Sequence, residues 1–129
     1  MLQIKEQIAA QKAYQCVKAR KDDNKSFDDY VTFAESFPTL IHTCGLVQAL
    51  AFAQAKKHDD YVADLQTVYS AIDVACNLPE ASRNAELKPY MRMTRHATMA
   101  ATWIKRYCQA LDKKSGGGLN DAAKQTQGA

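Results

Sequence analysis

Apolar positions recur with the period of a helix along most of this chain. Near the start, Ile4, Ile8, Ala13 and Val17 form one stripe and predict a first helix from about Leu2 to Lys21. The polar segment Lys21-Asp22-Asp23-Asn24-Lys25 then breaks it. Ser26 is a suitable N-cap for a second helix, in which Phe27, Tyr30, Val31, Ala34 and Phe37 keep the i, i+3, i+4, i+7 spacing. Pro38 is expected to end that helix, because the residue before a proline avoids the α region. The same Pro38 suits the first position of a third helix, running to about Lys57. This third helix carries Leu40, Ile41, Cys44, Leu46, Val47, Leu50, Ala51 and Phe52 on nearly every side, which predicts a place at the centre of a bundle. Gly45 inside it is read as a point where another backbone comes close.

A fourth helix is expected after Asp59-Asp60, with Val62, Leu65, Tyr69, Ile72 and Cys76 inward and Asn77 and Pro79 at its end. Residues 79–88 are polar and read as a loop. The last helix, from Lys88-Pro89 to about Lys113, has the cleanest pattern: Met93, Ala97, Ala100, Ile104, Tyr107 and Leu111. No stretch alternates with period two. The expected fold is all-α, a compact bundle of five to six helices, with a single domain over 1–114. Gly116-Gly117-Gly118 and the Gln/Ala/Lys-rich end predict a flexible tail over 115–129.

Composition agrees. The chain has 129 residues, 47% of them apolar, enough for one domain with a core that needs no metal or disulfide staples. The opening residues are charged too early for a signal peptide, and no apolar run approaches the roughly 20 residues that span a bilayer. Cys16, Cys44, Cys76 and Cys108 each fall on an apolar helical face, where a free thiol behaves as a small hydrophobe. No CxxC pair occurs, so structural zinc is not expected, and the reading is a reduced, cytoplasmic protein without cofactors.

The net charge of +3 is mild, but its distribution is not. Residues 26–87 carry −6 and residues 88–129 carry +6, and no acidic residue lies between Leu87 and Leu111. At about 100° per residue, Lys88, Arg92, Arg95, Arg106 and Lys113 fall in one narrow arc, away from the apolar stripe of the same helix. Thr102 lies within that arc and His96 at its edge. Cations aligned along about 35 Å of helix suit a run of phosphates, since each neutralised phosphate releases counterions. An acidic protein partner, or an ordinary solvated face, is the alternative.

Other clusters have plainer readings. Lys18, Arg20, Lys21 and Lys25 are diluted by Asp22 and Asp23 and read as a solvated helix end. Lys56-Lys57-His58 completes a helix C-terminus, and the acidic pairs Asp28-Asp29 and Asp59-Asp60 mark helix starts. His42 and Cys44 are two apart, which on a helix turns them away from each other, so His42 is read as an interface or core residue rather than a catalytic base. No GxxxxGK, GxSxG or HExxH occurs, and no catalytic or metal-binding residue is assigned. Trp103, between faces of the last helix and flanked by Lys105 and Arg106, is either core or an interface anchor.

Two segments carry a likeness. Residues 37–52, from Phe37-Pro38 through Gly45-Leu46 to Ala51-Phe52, resemble the signature of the small helical subunit of type III-B CRISPR effector (Cmr) complexes. Residues 90–111, with Thr102-Trp103-Ile104-Lys105-Arg106-Tyr107, are similar to its C-terminal helix, and Gln7-Ile8-Ala9-Ala10 with Ala13-Tyr14 fits its first. Cys44 stands where that pattern has Asn before the Gly. The resemblance implies a helical bundle with no enzymatic activity. It also implies copies stacked in the minor filament of the effector, among its other subunits, with a basic face toward the guide and target RNA. Lys105 and Arg106 belong to the matching motif, whereas Lys88, Arg92, Arg95 and Lys113 rest on helical geometry.

Overall fold

A computed structural model describes residues 4–23 and 27–112. Six helices follow one another: α1 (Lys5–Asp23), α2 (Phe27–Cys44), α3 (Leu46–Ala55), α4 (Asp59–Ile72), α5 (Leu78–Asn84) and α6 (Leu87–Leu111). No strand occurs among the described residues. The fold is all-α, as the periodicity predicts. The reading of 115–129 as a tail, with Lys113 and the Ser26 cap, lies outside the described residues.

The long α6 is the spine, packed against α1, α2 and α4. Of its expected inward face, Met93, Ala97, Ala100 and Ile104 are buried and are joined by Ala101 and Cys108, while Tyr107 and Leu111 at the end of the stripe are half-buried. Small residues on this face let α1 come close, and α1 answers with Ala9, Ala13 and Val17, all fully buried. Ile4, expected in the α1 stripe, is exposed, because the helix presents its Ala9–Ala13 side to α6. Phe27, Tyr30, Val31, Ala34 and Phe37 of α2 are buried as expected, as are Val62, Leu65, Tyr69 and Ile72 of α4.

The expected break at Pro38 is not there. The α2 helix runs through Pro38 to Cys44, and the break falls at Gly45. An interior proline costs roughly 3 kcal/mol through its missing N–H and ring clash. Burial of Phe37 and Ile41 on the same face of α2 offsets that cost. Gly45 has φ +88°, a left-handed value that favours glycine, so its role is the corner between α2 and α3 rather than close approach inside one helix. Gly45 offers no side chain to cap α3. Instead the Tyr90 hydroxyl of α6 accepts from the Val47 N–H at 3.2 Å, a cap supplied from across the bundle.

The loop expected over 79–88 contains α5. Asn77, expected to close α4, caps α5 instead: its Oδ1 accepts from the Glu80 N–H at 3.0 Å, with Pro79 in the first turn. Nor is the third helix central on all sides. Leu46, Ala49, Leu50 and Ala53 are buried, while Ala51 and Phe52 face solvent. Cys44 is exposed, against the expectation of an apolar face; Cys16 and Cys76 are half-buried and Cys108 is buried.

Candidate nucleic-acid interface

The outer face of α6 divides into two halves. In the N-terminal half, Lys88 is exposed and Arg92 half-exposed. The sequence places no acid on this helix, but the fold brings one from elsewhere. Asp73, just past the end of α4, reaches across to α6 with its carboxylate almost fully buried. His96 Nδ1–H donates to Asp73 Oδ2 at 2.6 Å, and Arg92 Nε donates to the same oxygen at 3.4 Å. The Tyr69 hydroxyl adds a third donor at 3.2 Å, and the Val74 N–H meets Oδ1 at 2.7 Å. Burial pushes this carboxyl up, but the bonds from His96, Val74 and Tyr69 outweigh it and hold Asp73 at about 2. On its other side the His96 ring accepts from Lys5 Nζ at 3.3 Å, so α1 contributes a further cation here. Arg92 thus has a carboxylate partner that helical geometry alone did not reveal.

The C-terminal half is an open groove of about 460 Å³ between α6 and the start of α1. It is lined by Glu6 of α1 and by one stripe of α6 that begins at Arg95, continues through Thr98, Met99, Thr102 and Trp103, and ends at Arg106. Arg95 and Arg106 are exposed, and neither has a carboxylate partner among the described residues. Trp103 is half-buried and packs against the core. Its Nε1–H donates to Glu6 Oε1 at 2.5 Å, and its ring stacks on Tyr107 at 5.8 Å. Tyr107 in turn meets Tyr14 of α1 edge-on. The Arg106 guanidinium lies over the indole at 5.7 Å. These contacts hold the indole in one plane.

Lys105 is half-buried beside the groove, and His42 lies exposed near the end of α2, apart from it. Lys113 lies outside the described residues. Thr102 takes the place expected for it, whereas Glu6, Thr98 and Met99 were not singled out. A net cation excess on α6 was legible; an acid ninety-seven residues before Trp103 had no local signal.

Arg20 also departs from expectation. Instead of marking a solvated helix end, its Nε and Nη2 donate to the two oxygens of Asp64 at 2.8 and 3.2 Å. Tyr30 donates to Asp64 Oδ2 at 2.6 Å. The bond to Asp64 raises the Arg20 pKa, and burial, then the Asp64 charge, raise that of Tyr30. This cluster ties α1, α2 and α4 together and is structural. Among the described residues no group of His, Cys, Asp and Glu could hold a metal, and no helix is long and apolar enough to cross a membrane.

Known proteins resemble the chain over nearly all of this fold. The sequence model of the family described as CRISPR-associated protein (Cas_Cmr5) matches residues 5–111. The CRISPR system Cmr subunit Cmr5 of Thermus thermophilus is 39% identical over 114 residues, covering 85% of this chain and 97% of that protein. The crystal structure of a CRISPR-associated Cmr5 family protein from the same organism superposes with a TM-score of 0.76 at 38% identity. That alignment covers 84% of this chain and 98% of the other.

Proposed function

The chain belongs to the Cmr5 family, and from that premise we propose that it is a non-catalytic small subunit of a type III-B CRISPR RNA-guided effector complex. In this reading copies of the chain stack in the minor filament, in contact with other Cmr subunits, and the outer face of α6 lies along the guide and target RNA.

The observation that carries the RNA half is the groove with Arg95 and Arg106 at its ends. Guanidinium groups match phosphate bidentately, and here no carboxylate among the described residues engages them. Lys88 and Lys105 extend the same positive surface. Arg92 and Lys5 form a second, partly neutralised patch over Asp73 and His96. Contacts of this kind position a strand without reading its sequence, which base pairing to a guide does instead. The stacking half draws on charge asymmetry along the chain and on exposed Val74, Leu87 and Met91 beside the basic patch.

Co-purification of the assembled complex tests both halves together. Arg95→Glu with Arg106→Glu is expected to leave assembly with the other subunits intact and to lower the target RNA bound by the complex. A double variant that still binds RNA as before but loses its protein partners would instead favour a helical adaptor for an acidic protein.

A further inference from the structure

The groove contains more than a phosphate track requires. A track needs cations; this groove sets an acid and an indole between its two arginines. Its volume of about 460 Å³ is within the range of small-ligand sites. We propose that it is a subsite for one unpaired ribonucleotide. The flanking phosphates meet Arg95 and Arg106, the base lies over Thr98, Met99 and Thr102 against Trp103, and an exocyclic amino group of the base donates to Glu6. The subsite rests on the RNA-path reading and deepens it from backbone contact to base contact.

Charge placement is the first reason. Arg95 and Arg106 are eleven residues apart, about 16 Å along the helix, and the α6 residues that line the groove between them, Thr98, Met99, Thr102 and Trp103, are uncharged. Long, exposed side chains at both ends of this stripe can fold toward phosphates on either side of a base seated on it. Preorganisation is the second. The Glu6 bond and the Tyr107 stack hold the indole in one orientation, so stacking costs little rotamer entropy. The Arg106 guanidinium now lying over the ring occupies the place a base takes; as the base enters, that guanidinium moves to the phosphate.

Glu6 supplies selectivity. One of its oxygens, Oε1, accepts from Trp103. An ionised carboxylate only accepts, so the second oxygen favours an amino group and repels a carbonyl. Cytosine and adenine carry such an amino group where uracil carries a carbonyl. In a duplex both faces of each base are covered by stacked neighbours, so a base lying against Trp103 must be unpaired and unstacked.

Trp103 is the only tryptophan in the chain, so its fluorescence reports this groove alone. The full-length protein is titrated at low salt with oligo(C), oligo(U), a duplex RNA and an abasic ribose–phosphate strand, with anisotropy of labelled RNA as an independent measure of binding. Oligo(C) is expected to quench Trp103 and to bind about tenfold more tightly than oligo(U), the order set by one hydrogen bond to a charged group. The abasic strand and the duplex are expected to bind without quenching. Glu6→Gln, which keeps an acceptor for Trp103 and adds a donor, is expected to erase the difference between cytosine and uracil. Quenching by the duplex or abasic strand equal to that by oligo(C), or RNA binding with no change in fluorescence, would overturn the subsite and leave the RNA-path reading standing. Absence of RNA binding at low salt would sink both.

Discussion

Replacing Arg20 by Ala is expected to lower stability by about 2 kcal/mol, and the size follows from its contacts. The Asp64 side chain is 12% exposed and takes two bonds from the guanidinium and one from Tyr30. In Arg20→Ala the carboxylate keeps only the Tyr30 bond. Breaking a fully buried pair in this way costs roughly 3–5 kcal/mol. The Arg20 side chain is one-third exposed at 33%, so water can enter beside Asp64, which brings the cost down to about 2 kcal/mol. For a domain of this size that is a fall of about 8 °C in Tm. Urea denaturation and thermal melts of Arg20→Ala, Asp64→Asn and the double variant form a cycle, in which the two single costs should not add. Lys18→Ala is the control, since its 3.8 Å contact with Asp22 is solvent-exposed and contributes less than about 0.5 kcal/mol. If Arg20→Ala melted with Lys18→Ala, or the cycle were additive, the cluster would not be the tie between α1, α2 and α4 described above.

Other expected outcomes follow from single contacts. Asp73 titrates at about 2, below its ordinary 3.8, so it stabilises the fold above about pH 4 and that contribution is lost as the pH falls through 2. Melts of wild type and Asp73→Asn between pH 2 and 6 should therefore diverge above pH 4 and converge at the acid end. Gly45→Ala places a side chain at φ +88° with its Cβ 3.4 Å from the Tyr90 hydroxyl, and should cost about 1–2 kcal/mol in urea denaturation. Tyr90→Phe removes the acceptor for the Val47 N–H and should cost about 1 kcal/mol in the same assay. Burial pushes the Cys108 thiol up to about 12, so in the native state a maleimide should label exposed Cys44 and leave Cys108 untouched until urea unfolds the chain.

Much of the architecture could be read from spacing. The inward face of α6 shows in the sequence because it is a long amphipathic helix whose burial follows one period, from Met93 to Ile104. The corner between α2 and α3 was misplaced because a local rule, the effect of Pro38 on the residue before it, was outweighed by burial of Phe37 and Ile41. Position 45 had a signal, but a glycine inside an apolar run reads equally as close packing or as a turn, and only its φ decides. On the outer face the cations were legible and their partners were not. Asp73 precedes Arg92 by nineteen residues, and Glu6 precedes Trp103 by ninety-seven. Such pairs exist only once helices have packed, so no pattern within one helix announces them. The same holds for Arg20, which reads as part of a solvated helix end until the fold brings Asp64 to it from forty-four residues away.

The salt dependence of RNA binding tests the central claim most directly. The equilibrium constant for single-stranded RNA is measured across a salt series for wild type and for Arg95→Ala with Arg106→Ala, with the helical content of both checked by circular dichroism. Each phosphate contact on a single strand contributes about 0.7 to the slope of log K against log salt, so two lost contacts should make it shallower by about 1.4. Parallel lines for two equally folded proteins would contradict a role for the α6 groove in holding RNA.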